Sequence, residues 1–259
     1  MGRKFRSVTE PISEVFLDSS SGEPMLPDAV QAWASGQDAA WGDPLRLHRS
    51  GRRAAQTLDR AREVVAAAVG ARPEEVVFTG SYAQASYAAV AGLALGRRRT
   101  GNRIVTTAID HSSVLNAAAA AGEHQAVEVD AEGHLDLDRW TTTVSAEGTA
   151  LAAVQVGNHE VGTLQPYAEA VAAGQRAGVP VLLDAAAALG RVDLAAVDGW
   201  SVLTGWAGAF GGPASVGLLV IRNRVRWRAP YPTDDYQGGR WPGVPDVPAI
   251  HAAAVALDS

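Results

Sequence analysis

No cysteine occurs in the 259 residues, so this sequence offers no disulfide and no thiolate to act as nucleophile, persulfide carrier or metal ligand. Lysine is almost as scarce: of the 22 basic residues only Lys4 is a lysine, and the rest are arginines. Arginine cannot stand in for a lysine amine, because its guanidinium stays protonated and is a poor nucleophile. Chemistry that needs a Schiff base must use Lys4 or proceed without one. No uninterrupted apolar run approaches the about 18 residues of a membrane span. The basic start at Arg3, Lys4 and Arg6 lacks the apolar stretch of a signal peptide. The six histidines show no metal-ligand spacing, and the glycine-rich stretch 208–217 has neither P-loop nor Rossmann spacing.

What is present reads as an ordinary soluble globular chain, 47% hydrophobic and 19% charged. A net charge of -6 predicts no direct nucleic-acid or membrane partner, and the cytoplasm is the expected compartment. Short β-branched runs at 75–79, 103–107, 126–129, 151–156, 180–184, 201–204 and 216–221 predict strands. Between them, alanine-rich segments at 57–69, 83–95, 113–121, 137–144 and 167–177 predict helices, with Ser113 and Asp138 as caps and Gly70, Gly122 and Gly178 near helix ends. This alternation predicts an α/β fold with a mostly parallel sheet and helices on both faces, rather than a (β/α)8 barrel, for which the helices and loops are too uneven. Ligands in such sheets collect at the carboxyl ends of strands, where Thr79, Thr107, Asn158, Asp184 and Thr204 fall. We expect one large domain over 1–259, with an N-terminal arm over about 1–26 and an irregular segment over about 223–259. Arg97–Arg99 reads as a solvated helix end. Seven tryptophans suit core packing, or anchoring of an interface.

Seven stretches together carry a resemblance. They are FLDSSSGEPMLP (16–27), GDPLRLHRSGRRA (42–54), EEVVFTGS (74–81), IVTTAIDHSSVL (104–115), GNHEVGTLQP (157–166), VLLDAAAALG (181–190) and GGPASVGLLVIR (211–222). In this order the sequence resembles the cysteine desulfurases and class V aminotransferases, the fold-type I enzymes that depend on pyridoxal phosphate. The resemblance implies that Asp184 faces the cofactor's pyridine nitrogen, holding it protonated so that the ring acts as an electron sink. It implies that His111 stacks on the ring and that Asn158 contacts the phenolic oxygen. On the residues alone, Asp184 and His111 could equally cap turns, and Asn158 could stabilise one. A Ser81, His111, Asp184 triad has no nucleophile-elbow motif behind it.

The departures are as informative. The family's lysine follows a Ser-x-His triplet, which falls here on Trp206, Ala207 and Gly208, and the lysine position itself falls on Ala209. The family's Ser-Gly-Gly-Thr phosphate turn at a helix start reads Gly80, Ser81, Tyr82, Ala83, leaving Ser81 and Tyr82 as the candidate phosphate-side residues. A family glutamine is Ala187, and an Arg-x-Gly-Thr element falls on Trp241–Val244, with Arg240 adjacent. The family's small C-terminal domain, with its cysteine loop, is expected to be missing. The resemblance therefore implies a catalytically degenerate desulfurase-like protein, a homodimer or a heterodimer with an active desulfurase, acting as partner, scaffold or regulator of sulfur transfer such as tRNA thiolation or cluster assembly. The cofactor is expected to be absent or held weakly and non-covalently. The alternatives are a non-covalent pyridoxal or pyridoxamine phosphate enzyme, in which His159 or Tyr82 could supply the missing acid–base group, and a decaying gene product.

Overall fold

The computed structural model describes residues 16–259; Lys4 and the first part of the expected arm lie outside the described residues. One seven-stranded sheet organises the chain: β1 (Val76–Thr79), β2 (Arg103–Thr107), β3 (Glu123–Val127), β4 (Thr149–Gln155), β5 (Val181–Asp184), β6 (Val202–Trp206) and β7 (Gly217–Ile221). Their order is β1-β7-β6-β5-β4-β2-β3. Only β7 runs against its neighbours, so β1 again points the same way as β6. The five strands from β6 to β3 are parallel, as the alternation of strand and helix predicts.

The strands sort their side chains by parity, as a pleated sheet must. Val77, Ile104, Leu151, Leu182, Val202 and Leu219 join a core with α3 (Tyr82–Arg97) and α4 (Ser112–Ala121). Their neighbours Phe78, Val105, Ala152, Leu183, Leu203 and Leu218 belong to a separate core on the other face. That second core is covered by α2 (Arg49–Ala68), α5 (Leu137–Val144), α6 (Tyr167–Ala177) and α7 (Val247–Asp258), with α1 (Pro27–Ala39) packed on α7. β4 and β5 are buried along their whole length, the signature of interior parallel strands covered on both sides. Trp140 of α5 is fully buried, and its indole N–H donates to the Ala170 carbonyl at 3.0 Å.

Several element ends differ from the sequence expectation for local reasons. Helix α2 starts at Arg49, eight residues before the apolar periodicity does, because His48 accepts a hydrogen bond from Gly51 N–H at 3.1 Å. α4 and α5 are capped by His111 and Asp136 instead of Ser113 and Asp138; a cap must precede the N–H groups it accepts from by two or three residues. β3 begins at Glu123 rather than 126 because an edge strand keeps polar side chains outside, so its apolar run is short. Beyond β7 the chain runs back over α3. Trp227 donates from its indole to the Ala88 carbonyl at 2.9 Å, and it lies so close that a Cβ on Gly92 would come within 1.9 Å of that nitrogen.

Candidate functional site

At the carboxyl ends of the parallel strands lies a cavity of about 410 Å3, walled by Ser81, Tyr82, His111, His159, Asp184 and Trp206 among others. Asp184 is the last residue of β5 and is 4% exposed. One of its oxygens accepts from the Thr204 hydroxyl and from Ala186 N–H, both at 3.1 Å. The other accepts a 2.5 Å hydrogen bond from the phenol of Tyr82. Burial pushes both groups upward, the Asp184 carboxyl above the usual carboxylate range and the Tyr82 phenol well above the usual tyrosine value, the phenol also feeling the Asp184 charge. The proton therefore stays on the phenol, aimed at the carboxylate.

Tyr82 is the first residue of α3, directly after the cap Ser81, whose hydroxyl accepts from Gln84 N–H at 3.2 Å. Gln84 turns back to accept from Gly80 N–H at 2.9 Å. The Tyr82 ring meets His111 edge-on, centroids 4.9 Å apart at 78°, and the His159 ring lies tilted against His111 at 4.9 Å and 51°. His111 Nδ1 accepts from Ser113 N–H at 3.0 Å, so the proton of the neutral ring sits on Nε2. Burial lowers the His111 pKa, which favours that neutral form.

Asn158 is not in the cavity wall. Its amide nitrogen donates to the Ile109 carbonyl at 2.8 Å, and its oxygen accepts from Glu160 and Val161 N–H, each at 2.8 Å. These bonds commit it to the turn after β4, and His159 next to it reaches the cavity instead. Ala209 lies in a 3-10 turn, Ala207–Phe210, and is 2% exposed. No lysine lies anywhere among the described residues. Trp206, at the end of β6, forms a wall of the cavity with its indole N–H on the Ala214 carbonyl at 2.9 Å. Its ring lies over Gly208, where a Cβ would meet ring carbon Cζ2 at 2.4 Å, and over Gly22, at 3.1 Å. The tryptophan and the glycine are thus two halves of one fit.

One residue beside the site escaped sequence reasoning. Asp110, adjacent to His111, is 5% exposed; one oxygen accepts from Thr107 N–H at 2.7 Å, and the other has no hydrogen-bond partner among the described residues. The only sequence signal is an acidic residue just past a strand end. Burial, with the nearby Asp184 charge adding to it, pushes the Asp110 carboxyl up to about 8. Its folded form holds a proton that the unfolded chain releases near the ordinary value of 3.8. Stability is therefore fully present below that ordinary value and falls as pH rises towards about 8, by at most about 1.4 kcal/mol per pH unit for one proton. Melting temperatures measured across this window are expected to fall with pH, and more gently in Asp110→Asn. An identical slope in the two proteins would sink this assignment.

The sequence pattern of the aminotransferase class-V family matches residues 15–234. The chain belongs to the class V aminotransferase family. It is 35% identical over 220 residues to an IscS-like cysteine desulfurase of Mycobacterium tuberculosis, covering 81% of this chain and 56% of that protein. It is 27% identical over 218 residues to the cysteine desulfurase IscS of Dictyoglomus turgidum, covering 82% and 55%. The chain thus spans about half the length of these curated relatives. Among solved structures it superposes on a NifS-like protein with TM-score 0.87 at 25% identity, covering 93% of this chain and 68% of the other. On DndA from Streptomyces lividans the TM-score is 0.82 at 25% identity, with 94% and 71% covered.

The family depends on pyridoxal phosphate, and with Tyr82 where it stands the cavity does not fit that cofactor in the family manner. The carboxylate that would face a pyridine nitrogen already holds the Tyr82 hydroxyl. The indole of Trp206 stands where the resemblance places a small phosphate-contacting serine, and Ala209 supplies no amine.

Proposed function

We propose that this class V aminotransferase-family chain is a catalytically degenerate, cysteine desulfurase-like protein. It works by association, as partner, scaffold or regulator of sulfur transfer, in a homodimer or with an active desulfurase. The observation that carries this reading is a cavity whose aspartate is bonded by the protein's own Tyr82, with Ala209 where the resemblance would put the lysine. Retention of a complete two-faced core beside a lost nucleophile favours a binding role over catalysis. Surface character supports the same reading. Phe16, Leu17, Val30, Trp33, Trp41, Leu45 and Leu47 are large apolar side chains left exposed within one short stretch of the chain. Two of them, Trp33 and Trp41, are of the residue type most enriched among interface hot spots.

The test is light scattering after gel filtration, of the protein alone and mixed with an active cysteine desulfurase from the same organism. We expect a dimer or a mixed complex. Trp33→Glu combined with Trp41→Glu, both on exposed positions, is expected to weaken it at least tenfold. A monomer that ignores the desulfurase at micromolar concentrations sinks the reading.

A second reading is a non-covalent complex with pyridoxal or pyridoxamine phosphate. The volume of the cavity and the adjacency of His111, Ser81 and Asp184 favour it, and it requires Tyr82 to leave Asp184. Absorbance and thermal shift on adding the cofactor decide between the two.

A further inference from the structure

The end of the sheet opposite the Asp184 cavity carries a second hollow of about 500 Å3, lined by Arg97, Arg224 and Arg226 with Gln175 and Ser201. It lies at the amino ends of β5 and β6, whose carboxyl ends form the first cavity. Two arginine-rich segments far apart in sequence meet there, Arg97–Arg99 at the end of α3 and the strap Arg224–Arg228 after β7. Packing holds them together. Arg228 N–H donates to the Gly92 carbonyl at 3.0 Å, and a Cβ on Gly96 would come within 1.8 Å of the Arg226 carbonyl oxygen. Val225 and Trp227 turn inward onto the α3 core, which leaves Arg224, Arg226 and Arg228 exposed. The Arg97 guanidinium is steadied by the Gly178 carbonyl at 3.0 Å.

Little negative charge opposes these groups. Among the described residues Arg224 has one carboxylate in reach, the exposed Asp198 at 3.5 Å, and Arg98, Arg99, Arg226 and Arg228 have none within 4.0 Å. The negative end of the α3 dipole attracts cations and accounts for Arg97–Arg99, but the strap belongs to no helix. A chain of net charge -6 has therefore lined one hollow with three arginines, and three more, the exposed Arg98, Arg99 and Arg228, lie on the same two segments.

We propose that this cleft binds the phosphodiester backbone of a polynucleotide strand. Guanidinium forks pair with phosphate oxygens bidentately. The hollow admits one phosphate with its sugar, while Arg98, Arg99 and Arg228 outside it are free to engage further phosphates along the strand. The Trp227 ring packs against the α3 core and no aromatic side chain lines the hollow, so the cleft binds through backbone charge rather than base stacking, tolerating sequence and depending on salt. The site is separate from the Asp184 cavity and does not rest on the association reading. The net negative charge, which as a whole-chain average predicts no nucleic-acid partner, does not register a cluster that only folding assembles.

The experiment is fluorescence anisotropy with a fluorescein-labelled, mixed-sequence single-stranded RNA of about 20 nucleotides, a length that exceeds the site sizes of about 4–16 nucleotides seen for compact single-strand binders. Binding at about 50 mM salt is expected to weaken on the order of tenfold or more by about 200 mM, as three or more released counterions require. Arg224→Gln/Arg226→Gln/Arg228→Gln should lose at least tenfold in affinity and flatten the salt dependence. Arg98→Gln/Arg99→Gln serves as an independent variant on the other segment. Absence of binding at low salt overturns the proposal, as does unchanged affinity in both folded variants. Displacement of the RNA by polyglutamate of matching charge, as effective as displacement by unlabelled RNA, also overturns it in favour of an acidic polypeptide.

Discussion

Tyr82→Phe is expected to lower the stability of the protein by about 1–3 kcal/mol, although it removes a single oxygen. The phenol is the donor to one oxygen of a buried carboxylate, and an acceptor left without its donor away from water costs the desolvation of that group. The hydrogen bond from Tyr82 also restrains the upward push of burial on Asp184. Its loss should raise that carboxyl further and make stability fall more steeply with pH, because the folded state then holds its proton over a wider range. Tyr82→Ala goes further and is expected to cost about 3–5 kcal/mol, as for other large aromatic deletions from packed sites. In exchange it frees Asp184 and opens the cavity. Pyridoxal phosphate should then give a bound absorbance and a thermal shift in Tyr82→Ala that the parent protein lacks. Chemical denaturation supplies the stability figures. A Phe variant within a few tenths of a kcal/mol of the parent, or equal cofactor binding by parent and Ala variant, would show that the phenol is not the plug.

Gly208→His, which puts back the histidine that the family resemblance places there, should destabilise the protein by about 1–3 kcal/mol as an overpacking change. Gly208 has no positive φ, so its backbone tolerates a side chain; the obstacle is the Trp206 ring, 2.4 Å from where the new Cβ would sit. The cost should largely vanish when Trp206→Ser is made in the same molecule, beyond whatever Trp206→Ser costs alone through its lost contacts and its bond to Ala214. A double-mutant cycle is then expected to show a coupling above about 1 kcal/mol, within the range for residues in contact. Additive effects would mean that the tryptophan and the glycine are unrelated substitutions. Coupling would mean that the lost serine and histidine were replaced together, by one indole that fills both places.

Sequence alone determined the sheet. β2, α5 and α6 fall within the predicted bounds because runs of β-branched residues and amphipathic periodicity are local properties. It also set the inventory: no cysteine, and one lysine, Lys4, which lies outside the described residues. It brought Ser81, Tyr82, His111 and Asp184 forward as candidates, and the structure gathers all four around one cavity. What the tertiary structure decided was what these groups do to one another. That Tyr82 bonds Asp184 depends on a helix start and a strand end 102 residues apart meeting at 2.5 Å. That Asn158 serves a turn depends on the Ile109 carbonyl arriving from another loop. That Arg97 and Arg226 share a hollow depends on Gly92 and Gly96 letting a strap lie against α3. Periodicity and composition are sums over neighbours in the chain, whereas hydrogen bonds, burial and charge clustering act over a few ångströms in space, and only packing sets those distances.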